Sequence, residues 1–222
     1  MRLMRRRGVW ATDLVALILG FAMFGTFLLV PDILQLPEAT GYGFGRSVTA
    51  AGLFLLPTVL MLVLCAPLAG ALVRRCGAEL PMVLGTALVT IGFVVPAIAH
   101  GALWQIVASG VIVGAGIGTA FAAMSNAIIA NVPAAQTGES IGVNTIARTI
   151  GSSVGTAVIA AVLSSQAGAQ GLPTDQSFTT ACWLCAGVAG LSVLAALAPP
   201  RAGAPRRNPA GAGQPAAHAR AH

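Results

Sequence analysis

The sequence has no lysine, and few charges of any kind. Only 8% of its 222 residues are charged, where soluble domains carry about 25%. A chain so poor in charge cannot cover a water-facing surface, which argues against a soluble globular enzyme. It also lacks the low hydrophobicity of a disordered chain: 56% of residues are hydrophobic and the mean hydropathy is +0.85. Disorder is thereby excluded for most of its length. Cysteine is sparse as well. Cys182-Trp-Leu-Cys185 has the spacing of a redox or zinc pair, but no second Cys pair or His pair follows it at zinc-site spacing. Inside an apolar run such cysteines pack as small hydrophobes. No nucleophile–base pair, metal cluster or phosphate loop is visible, and His100 stands alone. No enzyme activity, catalytic residue, metal or cofactor is therefore expected. Gly114-Ala-Gly-Ile-Gly118 is not a nucleotide loop, because no strand precedes it.

What is present is a series of long uncharged stretches. Residues 14–31, 47–73, 149–174 and 176–200 carry no charge, and 80–138 carries only His100. A bilayer core needs about 20 mostly apolar residues per helix. The gaps read as six spans, at 12–31, 48–71, 80–98, 103–130, 142–164 and 179–198, in an all-α polytopic membrane protein. The chain divides into a basic N-terminal segment (1–11), a six-helix transmembrane domain (12–198) and a tail (199–222). The tail is rich in Pro, Ala, Gly and Arg and is expected to be disordered.

All 12 basic residues are Arg, giving a net charge of +6, and all but Arg148, inside the fifth span, gather at segment ends. Arg2, Arg5, Arg6 and Arg7 precede the first span. Arg74 and Arg75 follow the second, and Arg201, Arg206, Arg207 and Arg220 follow the sixth. With six crossings these fall on one side, leaving Arg46 on the other. The bias places both termini in the cytoplasm, and the expected location is a bacterial inner (plasma) membrane. This is a topology pattern, not a phosphate-tracking patch, so the partner is the lipid bilayer and not nucleic acid.

Lipid provides no hydrophobic drive for helix pairing, so close contact relies on small residues. In the fourth span Gly110, Gly114 and Gly118 recur every four residues, followed by Ala122 and Asn126. In the fifth, Gly151 and Gly155 form a second such pair. Both read as packing faces, although glycine is common in membrane helices generally. Asn144, Arg148 and Ser152 share another face of the fifth span. An intramembrane arginine marks a functional site by default. The competing reading is that Arg148, about two turns from the cytoplasmic end, snorkels there. Glu139, just before this span, is a candidate partner. Asp13 is read as a cap or a neutraliser of nearby arginines. Pro57, Pro67 and Pro96 are expected to kink their helices.

After the second span the chain reads Gly70-Ala-Leu72-Val-Arg74-Arg75-Cys-Gly77-Ala-Glu79. This resembles the signature G-x-L-a-D-r-x-G-r-k of the major facilitator superfamily. Gly70, Leu72, Arg75 and Gly77 match; the Asp position is Arg74, and the trailing basic positions are Ala78 and Glu79. Further stretches are similar to the C-terminal half of the fourteen-helix drug:proton antiporter branch. These are Phe27-Leu-Leu-Val-Pro31 with Gln35 beyond it, Ala51-Gly52-Leu-Phe-Leu-Leu-Pro57, the glycine-rich fourth span and the Asn144–Gly155 run. The resemblance implies one six-helix half, built of two inverted three-helix repeats, with a small-molecule substrate site facing a second half. It implies efflux of a hydrophobic small molecule by alternating access, with an N-terminal half or a second copy as partner. The family's proton-titrating acids lie mainly in the other half. The opening Met1–Gly8 is similar to the family's interior linker, which suggests a truncated reading frame. Arg148, Asn144, Asn126 and Gln35 are the substrate-binding or gating candidates. The alternative is a non-transporting fragment or membrane interaction subunit.

Overall fold

The computed structural model describes residues 7–165 and 172–197. The segment 1–6, with Arg2, Arg5 and Arg6, and the tail 199–222 lie outside the described residues. Six helices follow in order: α1 (Arg7–Gln35), α2 (Val48–Cys76), α3 (Glu79–Ile98), α4 (Leu103–Asn131), α5 (Thr137–Ser165) and α6 (Asp175–Leu197). Short 3-10 turns at Glu38–Thr40 and Ala134–Gln136 lie in two of the connections. All six helices are long and apolar enough to cross a membrane. Runs of Leu, Val, Ile and Ala satisfy this requirement because a helix bonds every interior backbone group to itself.

Several helices outrun the uncharged stretches. α1 continues past Pro31 to Gln35, whose Nε2 donates to the Pro31 carbonyl at 3.2 Å. α2 runs five residues beyond 71, so Gly70, Leu72, Arg74 and Arg75 lie on its last turns and not in a loop. Only Gly77 and Ala78 connect α2 to α3, and Gly77 takes φ +82 while its N–H donates to the Val73 carbonyl. Glycine tolerates that left-handed backbone without steric cost. A Cβ on Gly70 would touch only the Arg74 side chain of its own helix, so Gly70 makes no tight approach to a neighbouring helix. α5 begins at Thr137, five residues before 142, so Glu139 lies in its first turn. α6 begins at Asp175, four residues before 179. Pro57, Pro67 and Pro96 all sit inside helices.

The packing has an internal exchange symmetry. The most extensive contacts are α2 with α4, α3 with α4, and α1 with α5. Swapping the first three helices for the last three maps α2–α4 onto α5–α1, which match in extent, and α3–α4 onto α6–α1, which is much the smaller contact. α1 and α4 occupy the centre: 61% of the most apolar stretch of α1 is buried and 56% of that of α4, against 11% for α2. Val15, Leu19, Ile33, Val89, Ile106 and Ile159 are among the fully buried core residues.

Glycine sets the seams. A Cβ on Gly114 would land on the Thr58 carbonyl oxygen of α2, and one on Gly118 on that of Leu62. A Cβ on Gly110 would meet Thr58 Oγ1. In the equivalent α1–α5 seam, Gly151 lies against the Leu17 carbonyl, Gly155 against the Phe21 backbone, and Gly20 of α1 against the Arg148 carbonyl. From Gly114–Thr58 to Gly118–Leu62, and from Gly151–Leu17 to Gly155–Phe21, both numbers rise, so the paired helices run parallel. α3 crosses α4 antiparallel, Gly85 against Gly116 and Ala120, and Gly92 against Val113. These directions fit alternate crossings of one membrane.

Candidate functional site

The α1–α5 seam brings polar groups together where the surroundings are apolar. With the two backbones in contact, Asn144 of α5 reaches α1. Its Nδ2 donates to Asp13 Oδ1 at 3.2 Å and faces the Thr12 carbonyl at 3.4 Å. Asp13 is the seventh residue of α1, so it is not a cap at the helix start. It answers an amide from a helix more than a hundred residues away in sequence.

One turn further along α5 stands Arg148. The longer helix places it eleven residues after Thr137 and three short of the helix middle, roughly 16 Å from the start at about 1.5 Å per residue. That is about three turns from the helix start, the extra turn coming from residues 137–141. Its guanidinium carbon lies 4.8 Å from the centroid of the Phe121 ring on α4. Stacking on an aromatic face partly offsets the cost of a cation away from water. Arg148 makes no ion pair with Glu139; among the described residues the one ion pair is His100–Asp175.

Beyond Arg148, an open groove of about 390 Å³ runs between α1 and α5, lined by Phe24, Ser152, Ser153, Thr156, Ala157 and Ala160. Its hydroxyls are satisfied within α5. Ser153 Oγ donates to the Thr149 carbonyl at 3.0 Å, Thr156 Oγ1 to that of Ser152 at 2.9 Å, and Ser152 Oγ to that of Thr149 at 2.7 Å. Each oxygen keeps a lone pair for a ligand. A second cavity, among α1, α3, α4 and α6, measures about 20 Å³, room for about one water.

The sequence candidates therefore separate. Asn144 and Arg148 belong to one constellation with Asp13 and Phe121. Asn126 lies nearby in sequence on α4, but its Nδ2 bonds the Ala122 carbonyl of its own helix at 2.7 Å. Gln35 is exposed at the opposite end of the bundle, tied to Pro31. Gly70, Leu72, Arg75 and Gly77 lie at the Arg74–Arg75 end, away from the groove. Gly110, Gly114, Gly118, Gly151 and Gly155 are buried in the seams. Phe121, Phe24, Ser153 and Thr156 were not singled out by sequence, and Asp13 was given another role. His100 does not stand alone: its ring meets Asp175 and Phe178. The alternation of His100 and Asp175 at span ends of one side was the available signal.

The model of a family described as Major Facilitator Superfamily matches residues 5–221. No curated protein matches the chain.

Proposed function

This chain belongs to the major facilitator superfamily, and on that premise we propose that it exports a hydrophobic small molecule by alternating access, as one six-helix half of a transporter. Membrane transport is the activity of the family; the direction, substrate and partner are the proposal. The observation that carries it is Arg148, near the middle of α5, stacked on Phe121 beside a hydroxyl-lined groove. A charge inside a span is costly, and such residues mark substrate or gating positions by default. The glycine seams hold α1 to α5 and α2 to α4 as rigid pairs, so the six helices rock as one body against a second half or a second copy. The Arg74–Arg75 end then faces the cytoplasm of a bacterial inner membrane, with both termini there.

The test is dye export from lipid vesicles containing the full chain, alone and co-expressed with an N-terminal six-helix half of the drug:proton antiporter type. R148A is expected to lower export at least tenfold at unchanged membrane level, with R148K recovering part of it. Equal loss of export and of membrane level would assign Arg148 to anchoring. No flux above empty vesicles in either format would overturn transport in favour of a non-transporting subunit.

A further inference from the structure

We propose that His100 is a proton-binding residue whose protonated ring ties together the connections at the end of the bundle opposite Arg74 and Arg75. The argument rests on what surrounds the two ring nitrogens. Nδ1 lies 2.7 Å from the Pro96 carbonyl oxygen, and Nε2 lies 2.6 Å from Asp175 Oδ1. A carbonyl only accepts, and an ionised carboxylate only accepts. Neutral imidazole has one N–H, so it would leave one nitrogen lone pair pressed against an oxygen lone pair. The imidazolium donates to both. Moving the proton to Asp175 gives the same count, since the pair still holds one proton more than a neutral ring and a carboxylate. The Asp175 side chain is 61% exposed, and water favours its ionised form.

The location gives this proton something to hold. His100 lies in the α3–α4 connection, Asp175 is the first residue of α6, and the Phe178 ring lies tilted against the imidazole with centroids 5.3 Å apart. A second tie reaches the same segment: the Tyr42 hydroxyl, in the α1–α2 connection, donates to the Pro173 carbonyl. Three connections thus converge at residues 173–175. Burial, with the charges of Asp32 and Asp175, pushes the Tyr42 hydroxyl up to about 12, so this tie stays intact while a histidine titrates. Of the other ionisable groups at this end, Asp32 has one buried oxygen without a partner, and the exposed Glu38 and Arg46 make no ion pair with His100. The sign follows directly. The tie is closed at low pH, when the ring carries both protons, and opens as pH rises and one is lost.

This inference goes beyond transport and does not use Arg148. Under alternating access it means that acid on that side of the membrane holds that end together. It is tested by hydrogen exchange of the full chain in lipid nanodiscs at about pH 5.5 and about pH 8, either side of the usual histidine range, corrected for intrinsic exchange. Amides in 99–102 and 172–178 are expected to lose protection roughly threefold to tenfold at the higher pH, the range for a part-exposed charge-assisted bond. Amides in the Gly114 seam should not change, which also reports that each variant is folded. H100Q and D175N should abolish the step. A wild-type protein with no step, or an H100Q protein with the same step, overturns the proposal. Loss of transport alone leaves the step in place, and absence of the step leaves transport untouched, so the two readings fail separately.

Discussion

Helices α2 and α5 hold equivalent places in the two three-helix repeats, each lying along the central helix of the other repeat, yet they present different chemistry. α2 turns Leu53, Leu56, Leu60, Val63, Leu64 and Leu68 outward, and the mean hydropathy of its most apolar stretch is 2.4. α5 turns Thr145, Thr149, Ser153 and Thr156 outward beside Ile146, Ile150 and Val154, and its most apolar stretch has a mean of 1.6. Geometry is shared and surface is not. The hydroxyls of α5 do not need water, because each bonds a carbonyl one turn back on its own helix. That arrangement lets α5 sit in lipid, in a protein interface or along a path without an unsatisfied group. The seams differ in the same way. In α2–α4 the central helix α4 gives up its side chains, while in α1–α5 the flanking helix α5 does so, with Gly20 adding to it. Close approach is what the fold requires; which helix provides the glycine is free.

The largest expected effect tests that equivalence. G114L drives a side chain into the Thr58 carbonyl, and G151L into that of Leu17. A backbone obstacle cannot rotate away, so each should cost at or above the upper end of about 1–3 kcal/mol for overpacking. Monodisperse folded protein after detergent extraction should fall at least fivefold for both. Similar losses support equal seams. A tolerated G151L beside a lethal G114L would break the equivalence and make α5 the looser helix.

An intermediate effect is expected from the polar tie that α5 makes to α1. N144A leaves the Asp13 carboxylate without its amide donor, at a cost of about 1–3 kcal/mol. For a chain of this length each kcal/mol lowers the melting temperature by about 2–4 °C. N144D should be worse at neutral pH, since it sets two carboxylates side by side. Its deficit should shrink as pH falls, because one of a crowded pair takes up a proton. A pH-independent N144D melting temperature would show that Asp13 and Asn144 are not in contact.

Much of this was legible in the sequence, for a physical reason. A bilayer permits little besides helices, so charge-free length alone counts six spans, and four-residue glycine spacing marks the faces of α4 and α5 that meet their neighbours. Helix ends were not legible. Residues 72–76 and 137–141 include charged and polar residues that end a hydropathy window but leave the helix intact. Pro31 did not stop α1, because a proline removes only its own N–H and the single bond to the residue 27 carbonyl, and the helix runs on to Gln35. The site was half legible: Asn144 and Arg148 announce themselves as polar residues on an apolar face. Phe121 and Asp13 do not, since their meaning depends on which helices touch. His100 and Asp175, 75 positions apart, meet only because the topology returns both to one end.

The smallest effect on stability sharpens the comparison most, because it separates surface from seam. L60S and S153L exchange the chemistry of the two outward faces. Neither side chain fills a seam, so both should change stability by no more than about 0.5 kcal/mol. The new serine can bond the carbonyl one turn back, as Ser153 does, and the new leucine adds apolar surface that lipid accepts. Their functional consequences should diverge. S153L fills the groove beside Phe24 and should cut export severalfold, while L60S should leave it within twofold. Melting in one detergent and export from one vesicle preparation decide the matter together. If S153L exports normally, the groove is lipid-filled and α5 differs from α2 in composition alone. If L60S loses export as S153L does, α2 also faces the path, and the asymmetry between the two faces has no functional meaning.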